Sequence, residues 1–167
     1  MKKVIIGLMV AFLFIGCGSK GSEDKPVEPK LVVGKSLDAL VLNDQFEKTH
    51  SIDADTKKVI FAFSKDVAHT CNDFFVTQEP TYLSDNKTAF IADVSAAPSL
   101  VRSMFILPGL KDFKHTVLIL DDKKIAAPFR SGVDVEKIVI VYLDGKSITS
   151  IKTINSADEL KNIIETN

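Results

Sequence analysis

The stretch Val59-Ile60-Phe61-Ala62-Phe63-Ser64-Lys65-Asp66-Val67-Ala68-His69-Thr70-Cys71-Asn72-Asp73-Phe74-Phe75 decides the architecture. Val59 to Phe63 is an unbroken apolar run, which suits a strand buried on both faces of a parallel sheet. Ser64 ends it, and Lys65 to Thr70 reads as a polar break. A helix is expected from about Cys71 towards Gln78, carrying Phe74 and Phe75. Strand, loop and helix N-terminus, in that order, bring free backbone N–H groups and the positive end of a helix dipole to one point. Cys71 stands at that point.

Working outward, Ala89 to Ala92 is a second buried strand, closed by Asp93. Val117 to Leu120 is a third, closed by Asp121-Asp122-Lys123-Lys124, which reads as a solvated turn. Between them Pro98 suits the first turn of a helix. Leu100, Val101, Met104, Phe105 and Leu107 follow at helical spacing until Pro108-Gly109 interrupts. Phe105 is expected in the core with Phe61, Phe63, Phe74, Phe75 and Phe90. Ile138 to Leu143, Asp144-Gly145, then Ile148, Ile151 and Ile154 form a hairpin around an Asp-Gly turn. Ser156 and Glu159 make a capping box for a last helix, with Leu160, Ile163 and Ile164 inside. Upstream, Val33 to Ile52 reads as a hairpin arm turning at Asn43-Asp44. This order defines an α/β protein: a mixed sheet with an N-terminal hairpin arm and an antiparallel edge hairpin.

The N-terminus carries an address. Lys2-Lys3 precede twelve apolar residues, Val4 to Ile15, too few to span a ~30 Å hydrocarbon core at ~1.5 Å per residue. Leu13-Phe14-Ile15-Gly16-Cys17 resembles a bacterial lipobox, with Phe14 where Leu is usual. The resemblance implies cleavage before Cys17 and its diacylation, the two chains that stable anchoring needs. A plain secretory signal cut elsewhere is the alternative. Gly18 rather than Asp follows the cysteine, which by analogy with bacterial lipoprotein sorting favours the outer membrane, facing the periplasm.

The expected organisation is therefore a signal peptide over 1–16, a lipidated cysteine and flexible tether over 17–32, and one domain over 33–167. Gly, Ser, Pro and charge fill the tether from Gly18 to Lys30. With 46% hydrophobic and 26% charged residues the chain fits one globular domain with a tail. The formal net charge of −1 becomes −3 without Lys2 and Lys3, which is no footprint for nucleic acid. The expected partners are the membrane, through Cys17, and an envelope protein. No phosphate loop, Ser-His-Asp pattern, His-Glu-x-x-His motif or cysteine cluster occurs, and no cofactor is expected.

Two stretches carry a family likeness. Val33-Gly34-Lys35-Ser36-Leu37 followed by Leu42-Asn43-Asp44-Gln45-Phe46-Glu47 resembles the N-terminal hairpin of thioredoxin-like lipoproteins and peroxiredoxins, with Glu47 where Gly is usual. Val59 to Asn72 resembles the thioredoxin strand, its closing aromatic (Phe63) and the Cys-x-x-Cys helix start. Ala68-His69-Thr70-Cys71 falls on the Cys-x-x-Cys, so Ala68 replaces the nucleophile. The likeness covers residues 33–166. It implies a thioredoxin-like three-layer sandwich in which no dithiol couple exists. The family's cis-proline position has two possible registers, before strand 116–121 or before 138–143. The residues there are His115-Thr116 or Glu136-Lys137, without proline.

If Cys17 is lipidated, Cys71 has no intramolecular partner. Three readings stay open for it. It packs under the sheet as a structural residue. It is a monothiol nucleophile whose pKa the helix N-terminus lowers. Or it ligates a metal with His69 and His115. Peroxiredoxins place Thr three residues before their cysteine; Ala68 stands there and lacks the hydroxyl. Asp66 caps the helix or feeds a proton. His115 and Thr116 are expected to face the loop from Asp66 to Cys71, and His50 to lie on the surface. The function expected is a membrane-tethered binding or scaffolding module. The alternatives are a monothiol oxidoreductase or peroxiredoxin-like protein using Cys71, and metal binding.

Overall fold

The structure, a computed structural model, describes residues 27–166. Cys17 and the segment read as signal and lipobox lie outside the described residues. One seven-stranded sheet runs in the order β2-β1-β5-β4-β3-β6-β7. Its centre is the parallel trio β3 (Lys58–Ala62), β4 (Thr88–Asp93) and β5 (Leu118–Leu120). The arm β1 (Val41–Asp44) and β2 (Thr49–Ser51) joins antiparallel on the β5 side. The hairpin β6 (Ile138–Asp144) and β7 (Ser147–Ile154) joins antiparallel on the β3 side. The mixed sheet, arm and edge hairpin are those the sequence implies, but the arm turns over 45–48, because Asn43 and Asp44 are paired within β1.

Every residue of β3 is buried, because both sheet faces are covered. Side chains alternate across a strand, so Val59 and Phe61 enter one core cluster while Ile60 and Ala62 enter the other. The first cluster lies beneath helix α5 (Lys123–Arg130) and the segment Leu31–Leu40, with Phe61 stacked on Phe63 and Phe129. The second lies beneath α1 (Lys65–Val76) and α6 (Ala157–Glu165), together with the segment that contains α3 (Ser99–Val101), a π-helical turn (Arg102–Ile106) and α4 (Leu107–Leu110). A short α2 (Tyr82–Asp85) leads into β4. Helices on both faces of one sheet make the three layers.

Several elements differ from the sequence reading. α1 begins at Lys65 rather than near Cys71. Its buried residues Val67, Cys71 and Phe75 are spaced by four, a helical stripe, whereas its polar face made 65–70 look like a loop. Pro108-Gly109 does not stop its helix, which continues to Leu110. Asp121–Lys124 is not a simple turn: Asp122 accepts from the backbone N–H groups of Lys124 and Ile125 and caps α5. Phe105 is 68% exposed rather than in the core. Finally, packing starts before residue 33. Leu31 is buried, and the Lys30 N–H donates to Pro128 O at 2.8 Å.

Candidate functional site

Ligands of open α/β sheets gather beyond the carboxyl ends of the parallel strands. Here Phe63 and Ser64 leave β3, Asp93 closes β4, and Asp121-Asp122 follow β5. Ser64 is the N-cap of α1 with extended backbone (φ −122°, ψ 162°), and its side chain makes no capping bond. Its Oγ is buried without a hydrogen-bond partner. Beside it, Arg130 at the end of α5 donates from Nη1 to Phe63 O at 3.2 Å and to Asp93 Oδ2 at 2.9 Å. The Asp93 side chain is fully buried, and its other oxygen accepts the Ser95 N–H. One guanidinium thus ties together the exits of β3 and β4. Arg130 and the partnered role of Asp93 were missed in the sequence. They stand 37 residues apart, and the only signal was a carboxylate closing a buried strand.

The candidate residues do not converge. Cys71 is the seventh residue of α1, in its second turn, and is fully buried in the core shared with Phe75, Phe90 and Ile140. No free N–H of the helix start faces it, since those belong to the first turn. Burial pushes its thiol up to about 12. Asp66 lies in the exposed first turn, where its charge complements the dipole, while Ser64 holds the cap position. His69 is exposed. Two positions from Cys71 on a helix, it points to nearly the opposite side.

His115 corrects an expectation. β6, not β5, is the antiparallel neighbour of β3, so the segment opposite the α1 start in the thioredoxin register is the one ending in Glu136-Lys137. His115 precedes the parallel strand β5 and sits at the other end of the sheet. Its ring is buried among Phe75, Phe90 and Phe113, and Nε2–H donates to Asn72 Oδ1 at 2.9 Å. Asn72 is seven residues beyond Lys65, about 10 Å along the helix axis. Burial lowers the imidazole to about 4, so the ring is neutral. Its carbonyl accepts from Gln45 Nε2 at 2.7 Å, and Gln45 Oε1 accepts the Val117 N–H, which clamps the arm to β5. Thr116 is exposed and lines a cleft of about 330 Å³ with His50 and Lys87, away from Cys71. The metal set Cys71, His69 and His115 is therefore not assembled, and no cluster of three metal-ligating side chains occurs among the described residues.

The architecture is a thioredoxin-like fold. No family model matches the chain, and no curated protein sequence matches it. Solved structures do. The chain is similar to a protein named as a disulfide isomerase from Bacteroides thetaiotaomicron, at 11% identity and TM-score 0.53, over 83% of this chain and 89% of that one. It is similar to the thioredoxin domain of a thiol-disulfide oxidoreductase from Bacteroides vulgatus, at 12% identity and TM-score 0.51, over 81% and 99%. A third is the pneumococcal exposed lipoprotein thioredoxin of Streptococcus pneumoniae, at 12% identity and TM-score 0.50, over 75% and 97%. Identity this low speaks for the fold alone.

Proposed function

We propose that the chain is a lipid-anchored envelope protein whose thioredoxin-like domain is a binding or scaffolding module, held at the outer membrane through Cys17 and facing the periplasm. One observation carries the binding reading. The start of α1, where dithiol chemistry in this fold is expected, reads Ser64-Lys65-Asp66-Val67-Ala68 without a cysteine, and Cys71 is sealed a turn further on. A thiolate is the nucleophile in thiol chemistry; a thiol near 12 supplies almost none at pH 7. The alternative, a monothiol oxidoreductase or peroxiredoxin-like protein using Cys71, is supported by the similarity to thiol-disulfide oxidoreductases. It requires α1 to open before Cys71 meets a substrate.

Lipid attachment is supported by Lys2-Lys3, the apolar run and Gly16-Cys17. Among the described residues no helix is long and apolar enough to cross a membrane, and one similar structure is itself a lipoprotein. Disulfide reduction tests the functional reading. With insulin and dithiothreitol, the protein and its Cys71→Ser variant should both stay at the background rate. A rate that depends on Cys71 would establish the oxidoreductase instead.

A further inference from the structure

The segment Ser99–Leu110 buries one side and leaves the other bare. Ile106, Leu107 and Leu110 pack against the core. Leu100, Val101, Met104 and Phe105 do not, and are 66%, 41%, 59% and 68% exposed. These four fall at positions i, i+1, i+4 and i+5, so they form one stripe. No carboxylate occurs between Asp93 and Asp112, and the stretch carries Arg102. An apolar stripe with a cation and without acidic residues is the composition of an interfacial membrane contact.

The chain's own connections favour a membrane as the surface that covers the stripe. The described residues begin at Val27, whose carbonyl accepts from Ser131 Oγ at 3.3 Å. Ser131 follows Arg130, which is bonded to Asp93 at the carboxyl end of β4. The tether therefore enters the domain at the carboxyl ends of the parallel strands. Leu100 also follows that end, seven residues after Asp93. Ten residue steps separate Cys17 from Val27, at most about 35 Å in any conformation. A lipid on Cys17 keeps this end of the domain within that distance of the bilayer, at high effective concentration.

We infer that Leu100, Val101, Met104 and Phe105 dip into the interfacial region of the membrane that holds Cys17, fixing the domain with its strand carboxyl ends towards the lipid. This rests on the lipid-anchored reading of Cys17.

The chain contains no tryptophan, so one introduced indole reports alone. The full chain carrying Phe105→Trp, produced in a bacterium that processes lipoproteins, is mixed with vesicles of phosphatidylethanolamine and phosphatidylglycerol, with or without brominated acyl chains. Phe46→Trp is the control. Phe46 is 59% exposed in the turn after Asp44, and Asp44 pairs with Leu118 at the start of β5, the opposite end of the sheet. Bromine should quench the Phe105→Trp emission by about half, as expected for a side chain at the acyl boundary, and leave the control unchanged. Protein that floats with the vesicles while Phe105→Trp goes unquenched overturns the inference, leaves the anchor standing and points to a protein partner for the stripe. Protein that does not float shows that Cys17 is not lipidated, and the inference falls with it.

Discussion

At the scale of single residues, burial decides the chemistry of the two most suggestive side chains. Cys71 and His115 are the types a catalytic reading would choose, and both are sealed in the α1 face of the core. Cys71→Ser should destabilise the protein by about 1–3 kcal/mol, since it places a hydroxyl in an apolar site. Cys71→Ala should cost less, and urea unfolding separates them. A neutral Cys71→Ser would contradict the structural role. His115 gives a pH signature. Its folded pKa of about 4 lies below its ordinary 6.5, so the unfolded chain binds the extra proton first. Stability is then complete above about pH 6.5 and falls as pH drops towards 4. At ~1.4 kcal/mol per unit the loss reaches about 3 kcal/mol. His115→Phe should flatten that slope in denaturation curves measured across this range.

Helices and strands are where sequence and structure diverge most usefully. The central strands were legible, because β3, β4, β5 and β6 are apolar runs buried on both faces. The helix starts were not. Lys65, Asp66 and His69 form the solvated face of α1, and in sequence a solvated face and a loop look alike. The stripe Val67, Cys71, Phe75 held the correction, but Phe74 beside Phe75 drew the helix too late. α5 hid behind Asp121-Asp122-Lys123-Lys124 and Pro128. Its cap is testable: Asp122→Ala should cost about 1 kcal/mol, read as a shift in thermal midpoint. A stronger test of α5 is Arg130→Ala, which leaves the Asp93 carboxylate buried and unpaired. It should cost about 3 kcal/mol. The double change with Asp93→Asn should restore part of that, and equal losses in single and double variants would refute the pairing account. Pairs such as this one, and Gln45 with His115, join residues distant in sequence through packing, so no local pattern announced them.

For the whole molecule, the thioredoxin-like architecture followed from element order, while the position of the site did not. Only the sheet shows β5 parallel to β4 and β6 antiparallel to β3, and this order places His115 at the far end, apart from Cys71 and His69. What remains is a thioredoxin-like fold whose strand carboxyl ends carry Ser64 and an Asp93–Arg130 pair, with the Cys71 thiol sealed beneath α1. Alkylation kinetics test this most directly. Protein carrying Cys17→Ser, in which Cys71 is the remaining thiol, is treated with N-ethylmaleimide at pH 6 and pH 8, native and in guanidinium. Native protein should show no measurable labelling at either pH and rapid labelling once it unfolds. Native labelling that is as fast at pH 6 as at pH 8 would reveal an exposed thiolate of low pKa, and Cys71 would then be reactive rather than sealed.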